Sequence, residues 1–123
     1  VMAFQDATAA FDSSGLCIFT SFAWSLADIQ PQIDAACEGE WSLEKLSQVG
    51  ERIWNMEKMF NLEAGLTKDD DRLPKRLTTE PAEMGPAKGL VSGVPEMLPK
   101  YYEIRGWDTE GHPKAETKAR LGL

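Results

Sequence analysis

Between Ser42 and Glu63 the apolar residues Leu43, Leu46, Val49, Ile53, Met56 and Phe60 recur at intervals of three and four, while Glu44, Lys45, Gln48, Glu51, Arg52, Asn55 and Lys58 fill much of the remainder. One apolar face at the helical period dictates an amphipathic α-helix that must find a partner surface, and no other stretch constrains the fold as much. Ser42 stands where an N-cap is needed and Gly65 where a C-terminal stop is needed. Gly50 lies inside the pattern at a cost of about 1 kcal/mol against Ala, so a closely crossing helix is the expected reason for it.

The rest of the chain supplies shorter helical patterns. Met2, Phe4, Ala7, Ala10 and Phe11 trace one over residues 2–11, ended by Asp12. The run Leu16, Ile18, Phe19, Phe22, Ala23, Trp24, Leu26, Ile29 and Ile33 predicts buried helix interrupted near Pro31, with one segment near 17–24 and another near 31–37, stopped by Gly39. Residues 65–95 hold Gly65, Pro74, Pro81, Gly85, Pro86, Gly89, Gly93 and Pro95, which break any long element. So long a connection is more often a functional lid or a packing arm than filler. A short helix with Pro95 in its first turn is expected up to Gly106, then a turn over Trp107 to Gly111 and a terminal helix over 113–121. No internal repeat occurs, and no alternating run longer than about four residues suggests a strand. The expectation is a single all-α domain over 1–123, irregular and multihelical, with a long Pro/Gly-rich connection.

At 123 residues the chain removes roughly two thirds of its unfolded surface from water on folding, enough for a real core. Its apolar fraction of 42% and charged fraction of 27% fit a soluble globular domain. No apolar run nears the roughly 18 residues of a membrane span, so no membrane association is expected. The net charge of -7 and pI near 4.7 repel phosphate backbones, which argues against nucleic acid. Two cysteines are far too few for a disulfide scaffold, and a Cys17–Cys37 bridge is open to the chain without being demanded, so a reducing cytoplasm is expected. Val1-Met2-Ala3-Phe4 shows no targeting segment and suggests a fragment of a longer protein.

The sharpest chemistry lies in Asp12-Ser13-Ser14-Gly15-Leu16-Cys17, which gathers a carboxylate, a turn glycine and a thiol. A Cys directly after a glycine turn is held by backbone geometry and suits thiolate attack or metal ligation. The competing reading is structural: a capping Asp and a small buried Cys. One Cys cannot hold an iron–sulfur cluster, which usually takes four thiolates, so further ligands would come from elsewhere. Cys37 has no ligand-spaced neighbour and reads as a structural thiol, and His112, between Gly111 and Pro113, reads as an exposed turn residue. Asp69-Asp70-Asp71 lacks the spacing of a calcium loop and reads as a solvated charge run. Trp24, Trp41, Trp54, Trp107, Tyr101 and Tyr102 read as core or interface. With one His and two Cys there is no complete catalytic set, and no catalytic residue is assigned.

Several motifs in order resemble the C-terminal region of the tungsten-containing aldehyde ferredoxin oxidoreductase family: Gln5-Asp6, the Asp12 to Cys17 stretch in the form DxxGLC, Gly50-Glu51-Arg52-Ile53, Phe60-Asn61 with Gly65, Leu73-Pro74-Lys75-Arg76, Tyr101-Tyr102 with Arg105-Gly106-Trp107, and Leu121-Gly122-Leu123. The resemblance covers nearly the whole chain. It implies an enzyme that oxidises aldehydes to carboxylic acids at a tungsten held by two pterin dithiolenes, passing electrons through a 4Fe-4S cluster to ferredoxin. It further implies that Asp12 hydrogen-bonds the pterin, that Leu16 lies beside it, and that Cys17 is the last cluster ligand. The family's other cluster cysteines, its pterin-binding β domain and its catalytic Glu and His are absent from this sequence. The chain alone is therefore expected to be inactive and to bind neither tungsten nor iron. Its expected partners are the remaining domains of its own protein, ferredoxin and a small aldehyde, with self-association into homo-oligomers open. Two alternatives stand beside this: a non-catalytic helical interaction domain, and a same-family enzyme with another substrate, such as an aromatic acyl-thioester reductase subunit. Specificity is expected partly from the 65–95 connection.

Overall fold

The computed structural model describes all residues from Val1 to Leu123. It is all-α, as the periodicity requires. The elements are α1 (Met2–Ser13), a 3-10 turn (Ile18–Phe22), α2 (Leu26–Ala36), α3 (Leu43–Glu63), a second 3-10 turn (Lys68–Asp70), α4 (Lys75–Thr79), α5 (Val94–Arg105) and α6 (Ala115–Leu121). Strand-like pairing is limited to two isolated bridges, Ala82 with Lys88 and Trp107 with Pro113. The chain divides into two compact units, Val1–Lys58 with Lys118–Leu123, and Met59–Thr117.

In the first unit α3 is the scaffold, begun as expected by Ser42, whose Oγ accepts the Lys45 backbone N–H at 3.1 Å. Gly50 meets α1: a Cβ built on it would sit 1.9 Å from the Asp6 carbonyl oxygen. One turn on, the Trp54 indole N–H donates to the Gln5 carbonyl at 2.9 Å. The Gln5-Asp6 and Gly50 motifs are thus two sides of one helix crossing. Beside Gly50, the Arg52 Nε donates to the Leu121 carbonyl at 2.9 Å and its Nη2 to that of Gly122 at 3.2 Å. The Arg120 guanidinium grips the Glu51 carboxylate with bonds of 2.9 and 2.6 Å. Glu51 and Arg52 thereby clasp the last residues, satisfying carbonyls that a helix end leaves open. Ala10, Phe11, Ile29, Leu46 and Leu121 are the buried apolar residues here.

Two sequence expectations in this unit need correction. The buried helix expected near 17–24 is a 3-10 turn with no buried residue. Thr20 Oγ1 donates to the Cys17 carbonyl at 2.8 Å and Ser21 Oγ to that of Ile18 at 2.6 Å, so short hydroxyl side chains compete for acceptors that an α-helical ladder would use. The interruption at Pro31 also fails: α2 starts earlier and carries Pro31 inside it. Its start is fixed by the Asp28 carboxylate, which accepts both the backbone N–H and the hydroxyl of Ser25 at 2.7 Å. Those bonds, the backbone one first, hold the Asp28 carboxyl below the usual carboxylate range. The Gln32 side chain donates to the Asp28 carbonyl at 3.0 Å, one residue past the proline.

The second unit is built around α5, with Pro95 in its first turn and a left-handed Gly106 closing it. The Tyr102 hydroxyl donates to the Asp71 carboxylate, and the Arg105 Nε donates to the Tyr101 hydroxyl at 3.0 Å. Trp107 is buried with its ring 5.7 Å from that of Tyr101, edge-on, and 5.6 Å from that of Tyr102. Thr117 Oγ1 donates to the Gly106 carbonyl at 2.8 Å. The aspartate run is therefore more than a solvated charge run. Asp70 accepts the Thr67 backbone N–H at 2.8 Å, and Asp71 receives the Tyr102 hydroxyl. In the turn after Trp107 the Asp108 carboxylate accepts the backbone N–H groups of Glu110 and His112, each at 2.9 Å. The His112 bond is the chief reason its carboxyl sits below the usual range. The 65–95 connection is ordered by backbone pairing: Gly89 N–H to Ala82 O at 2.8 Å, Ala82 N–H to Leu90 O at 3.0 Å and Ser92 N–H to Leu77 O at 2.8 Å.

Candidate functional site: the Asp12 to Cys17 loop

Asp12 and Ser13 form the last turn of α1, Gly15 turns the chain with φ 79°, and Cys17 opens the 3-10 turn in an extended conformation. Positive φ is what a side-chain-free residue supplies without strain, and it lets the chain reverse within two residues of the helix end. Ser14 braces the loop: its Oγ donates to the Phe11 carbonyl at 2.6 Å and accepts the Leu16 N–H at 3.4 Å. On the far side the Cys17 carbonyl accepts the Thr20 backbone N–H at 2.9 Å as well as its hydroxyl. The loop is thus fixed by backbone and hydroxyl bonds, while Asp12 and Cys17 are exposed and Leu16 is half-buried.

The capping and buried-thiol reading does not hold. Asp12 sits at the C-terminal end of a helix, where a carboxylate faces the negative end of the macrodipole and costs about 0.3–1 kcal/mol rather than stabilising. Its side chain makes no hydrogen bond or ion pair, and the hydroxyl of Ser14 does the local bonding instead. Cys17 is exposed and unbridged, as is Cys37. His112 is exposed in its turn, as expected.

The donor set suits a shared site. No group of three or more His, Cys, Asp or Glu side chains converges to hold a metal ion. The loop offers one thiol and one carboxylate at the surface, a set that fits a single ligand to a cluster plus one hydrogen-bond acceptor for a neighbouring organic group. A concavity lies in the unit Met59–Thr117, an open cleft of about 1460 Å³ walled by Leu73, Pro74, Leu98 and Trp107, with Asp71 and Tyr102 on its lining. The Leu73-Pro74 motif supplies part of its wall, and nothing in the spacing of the sequence shows that Tyr102 and Asp71 meet there.

The structure is thus an all-α chain that carries one carboxylate and one thiol on a hydrogen-bonded surface turn. The chain belongs to the aldehyde ferredoxin oxidoreductase family: it matches the family described as "Aldehyde ferredoxin oxidoreductase, domains 2 & 3" over residues 1–123. It is 47% identical over 124 residues to a tungsten-containing aldehyde ferredoxin oxidoreductase of Pyrococcus abyssi, covering 100% of this chain and 20% of the relative. It is 46% identical to the enzyme of the same description from Pyrococcus horikoshii, with the same coverage. Among solved structures it resembles a chain of the "Active site complex BamBC of Benzoyl Coenzyme A reductase in complex with 1,5 Dienoyl-CoA", with a TM-score of 0.62 and 26% identity over 81% of this chain and 14% of that one. The chain thus spans about a fifth of the length of the curated relatives it matches. None of its helices is long and apolar enough to cross a membrane.

Proposed function

We propose that this chain is the C-terminal part of an aldehyde:ferredoxin oxidoreductase-type enzyme, working in the cytoplasm, and that its Asp12 to Cys17 loop is its contribution to the cofactor site. In that role the Cys17 thiolate would ligate one iron of a 4Fe-4S cluster, the Asp12 carboxylate would accept a hydrogen bond from a pterin, and Leu16 would lie beside the pterin. When bound, the tungsten–bis-pterin group supplies the oxidation of a small aldehyde to its carboxylic acid, and the cluster carries the electrons to ferredoxin. What this chain does is hold: it presents a thiol and an acceptor five residues apart on a turn braced by the Ser14 and Thr20 hydroxyls. The observation that carries the reading is the exposed Asp12 carboxylate in the last turn of α1, a costly place for an acid that serves no contact within the chain.

The test is Cys17→Ser in the full-length protein. The expected result is loss of the four-iron signature by electron paramagnetic resonance, together with a fall in bound iron; an intact four-iron cluster would overturn the ligand assignment. Asp12→Ala is expected to lower pterin and tungsten content while leaving iron in place. The isolated chain, with one ligand of four, is expected to hold neither metal nor activity, and stoichiometric iron or tungsten in it would contradict the shared site.

A second reading keeps the site and changes the substrate: a same-family enzyme acting on an aromatic acyl thioester. The likeness to the benzoyl-coenzyme A reductase complex favours it. Turnover of benzaldehyde against reduction of benzoyl-coenzyme A by the full-length protein separates the two.

A further inference from the structure

The longest stretch of this chain without a charged residue runs from Ser13 to Ala27, in a sequence that is 27% charged overall. It is not a core segment. Phe19 is 72% exposed, Phe22 86% and Trp24 42%. The Phe19 and Phe22 rings stack on one another, with centroids 5.9 Å apart and planes 19° from parallel. The turn that carries them is locked by the Thr20 and Ser21 hydroxyls, so the pair is presented on a set backbone. Phe4, on the helix α1 that this turn contacts, is 76% exposed as well. Scattered single apolar side chains are ordinary on a protein surface, but a preformed aromatic pair inside an uncharged run has the composition of the buried centre of an interface.

What covers it follows from length. The matched relatives are about five times as long as this chain and align with all of it, so most of such a protein lies outside these residues. We propose that the Phe19–Phe22 face is a docking surface for the remainder of the same polypeptide, which meets it with an apolar surface free of carboxylates. The face carries no charged group to pair with a carboxylate, which docking would leave desolvated. The contact would shut water out of the turn that Cys17 opens.

The proposal is independent of the cluster assignment and is read by photochemical hydroxyl-radical footprinting of the full-length protein with residue-level mass spectrometry. Phe19 and Phe22 are expected to oxidise about tenfold or more slowly than in the urea-unfolded protein, as rings in a packed interface do. This protection should be equal at every concentration and persist in Cys17→Ser protein. The double substitution Phe19→Ser with Phe22→Ser is expected to speed amide hydrogen exchange over residues 17–24. Ring oxidation near the unfolded rate would overturn the proposal. Protection that fades on dilution would overturn it too, in favour of a second copy of the protein as the occupant. Protected rings in a protein whose Cys17→Ser variant keeps its full iron would sink the cluster assignment and leave the docking surface standing.

Discussion

Replacing Gly50 with Ala sets two effects of opposite sign against each other. In an unobstructed helix interior the change stabilises by about 1 kcal/mol, because Ala orders at less entropic cost. At Gly50 the new Cβ would lie 1.9 Å from the Asp6 carbonyl oxygen, 2.5 Å from its carbon and 2.8 Å from the Asp6 Cα, where real Cβ atoms essentially never come under 3.0 Å. The obstacle is the backbone of α1, which cannot rotate away as a side-chain tip can, so one helix must move by about an ångström in a close-packed interior. Overpacking of this kind costs about 1–3 kcal/mol and occasionally more. The same displacement strains the Trp54 to Gln5 hydrogen bond, about 1 kcal/mol if lost. The clash wins, with a net loss of about 2 kcal/mol and a fall in melting temperature near 8 °C at about 4 °C per kcal/mol. Urea unfolding and thermal melting at fixed pH measure it, with Ser47→Ala, exposed on the same helix, as a control showing only a propensity gain of about 0.5 kcal/mol. A Gly50→Ala protein as stable as the parent, or more stable, would refute the close crossing.

Tyr102→Phe removes the hydroxyl that Asp71 accepts and is expected to cost about 1–2 kcal/mol in urea unfolding. Burial first, and then the Asp71 hydrogen bond, push the Tyr102 ionisation well above the ordinary tyrosine range, so its stabilisation is complete below about pH 10 and is lost as pH rises further. The Phe variant should lose less stability over that alkaline limb, and an unchanged limb would refute the linkage. Asp108, held low chiefly by the His112 N–H, contributes stability above the ordinary carboxylate range that disappears as pH falls through its lowered value; Asp108→Asn should flatten the acid limb below about pH 4. Arg120→Ala breaks a bidentate pair with Glu51 whose Arg is half exposed, so it should cost no more than about 1 kcal/mol and less still at high salt.

The helical class was legible because α3 carries its apolar residues on one face and its signals at both ends: the Ser42 cap bonds as its position suggests, and Gly65 follows the last turn with φ 95°. Gly50 was legible for the same reason, being an anomaly in an otherwise clean period. The misreadings lie where short polar side chains compete with the backbone. The hydroxyls of Thr20 and Ser21 turned an apolar run into an exposed 3-10 turn, and the Ser25 to Asp28 box started α2 ahead of a proline that the sequence made look like a boundary. Asp70 and Asp71 looked like solvent-facing charge because their partners, the Thr67 N–H and the Tyr102 hydroxyl, are respectively a backbone group and a residue far along the chain. Long-range pairings of this kind leave no periodic trace.

Several of the motifs that first suggested the family are accounted for by contacts within the chain, and the contrast with the Asp12 to Cys17 loop bears on the site. Gln5-Asp6 and Gly50 are one helix crossing, Glu51 and Arg52 clasp the chain's last residues, and Tyr101, Tyr102, Arg105, Gly106 and Trp107 bond and stack among themselves and with Asp71 and Thr117. The side chains of Glu51, Arg52, Tyr101, Tyr102, Arg105 and Trp107, and the missing Cβ of Gly50, each have a contact within the chain that accounts for the residue's type. Asp12 and Cys17 do not: they sit exposed on a turn whose other members, Ser14, Gly15 and Thr20, are the ones that hold its shape. A helix-terminal carboxylate there works against the macrodipole, and Ser or Asn in its place would be at least as stable. Folding therefore explains the frame of the loop and leaves its acid and its thiol to be explained by something outside the chain. Asp12→Asn is the discriminating substitution: it should leave or slightly raise the melting temperature of the purified chain while lowering the pterin content of the full-length protein. A clear fall in the chain's own stability would return Asp12 to the frame.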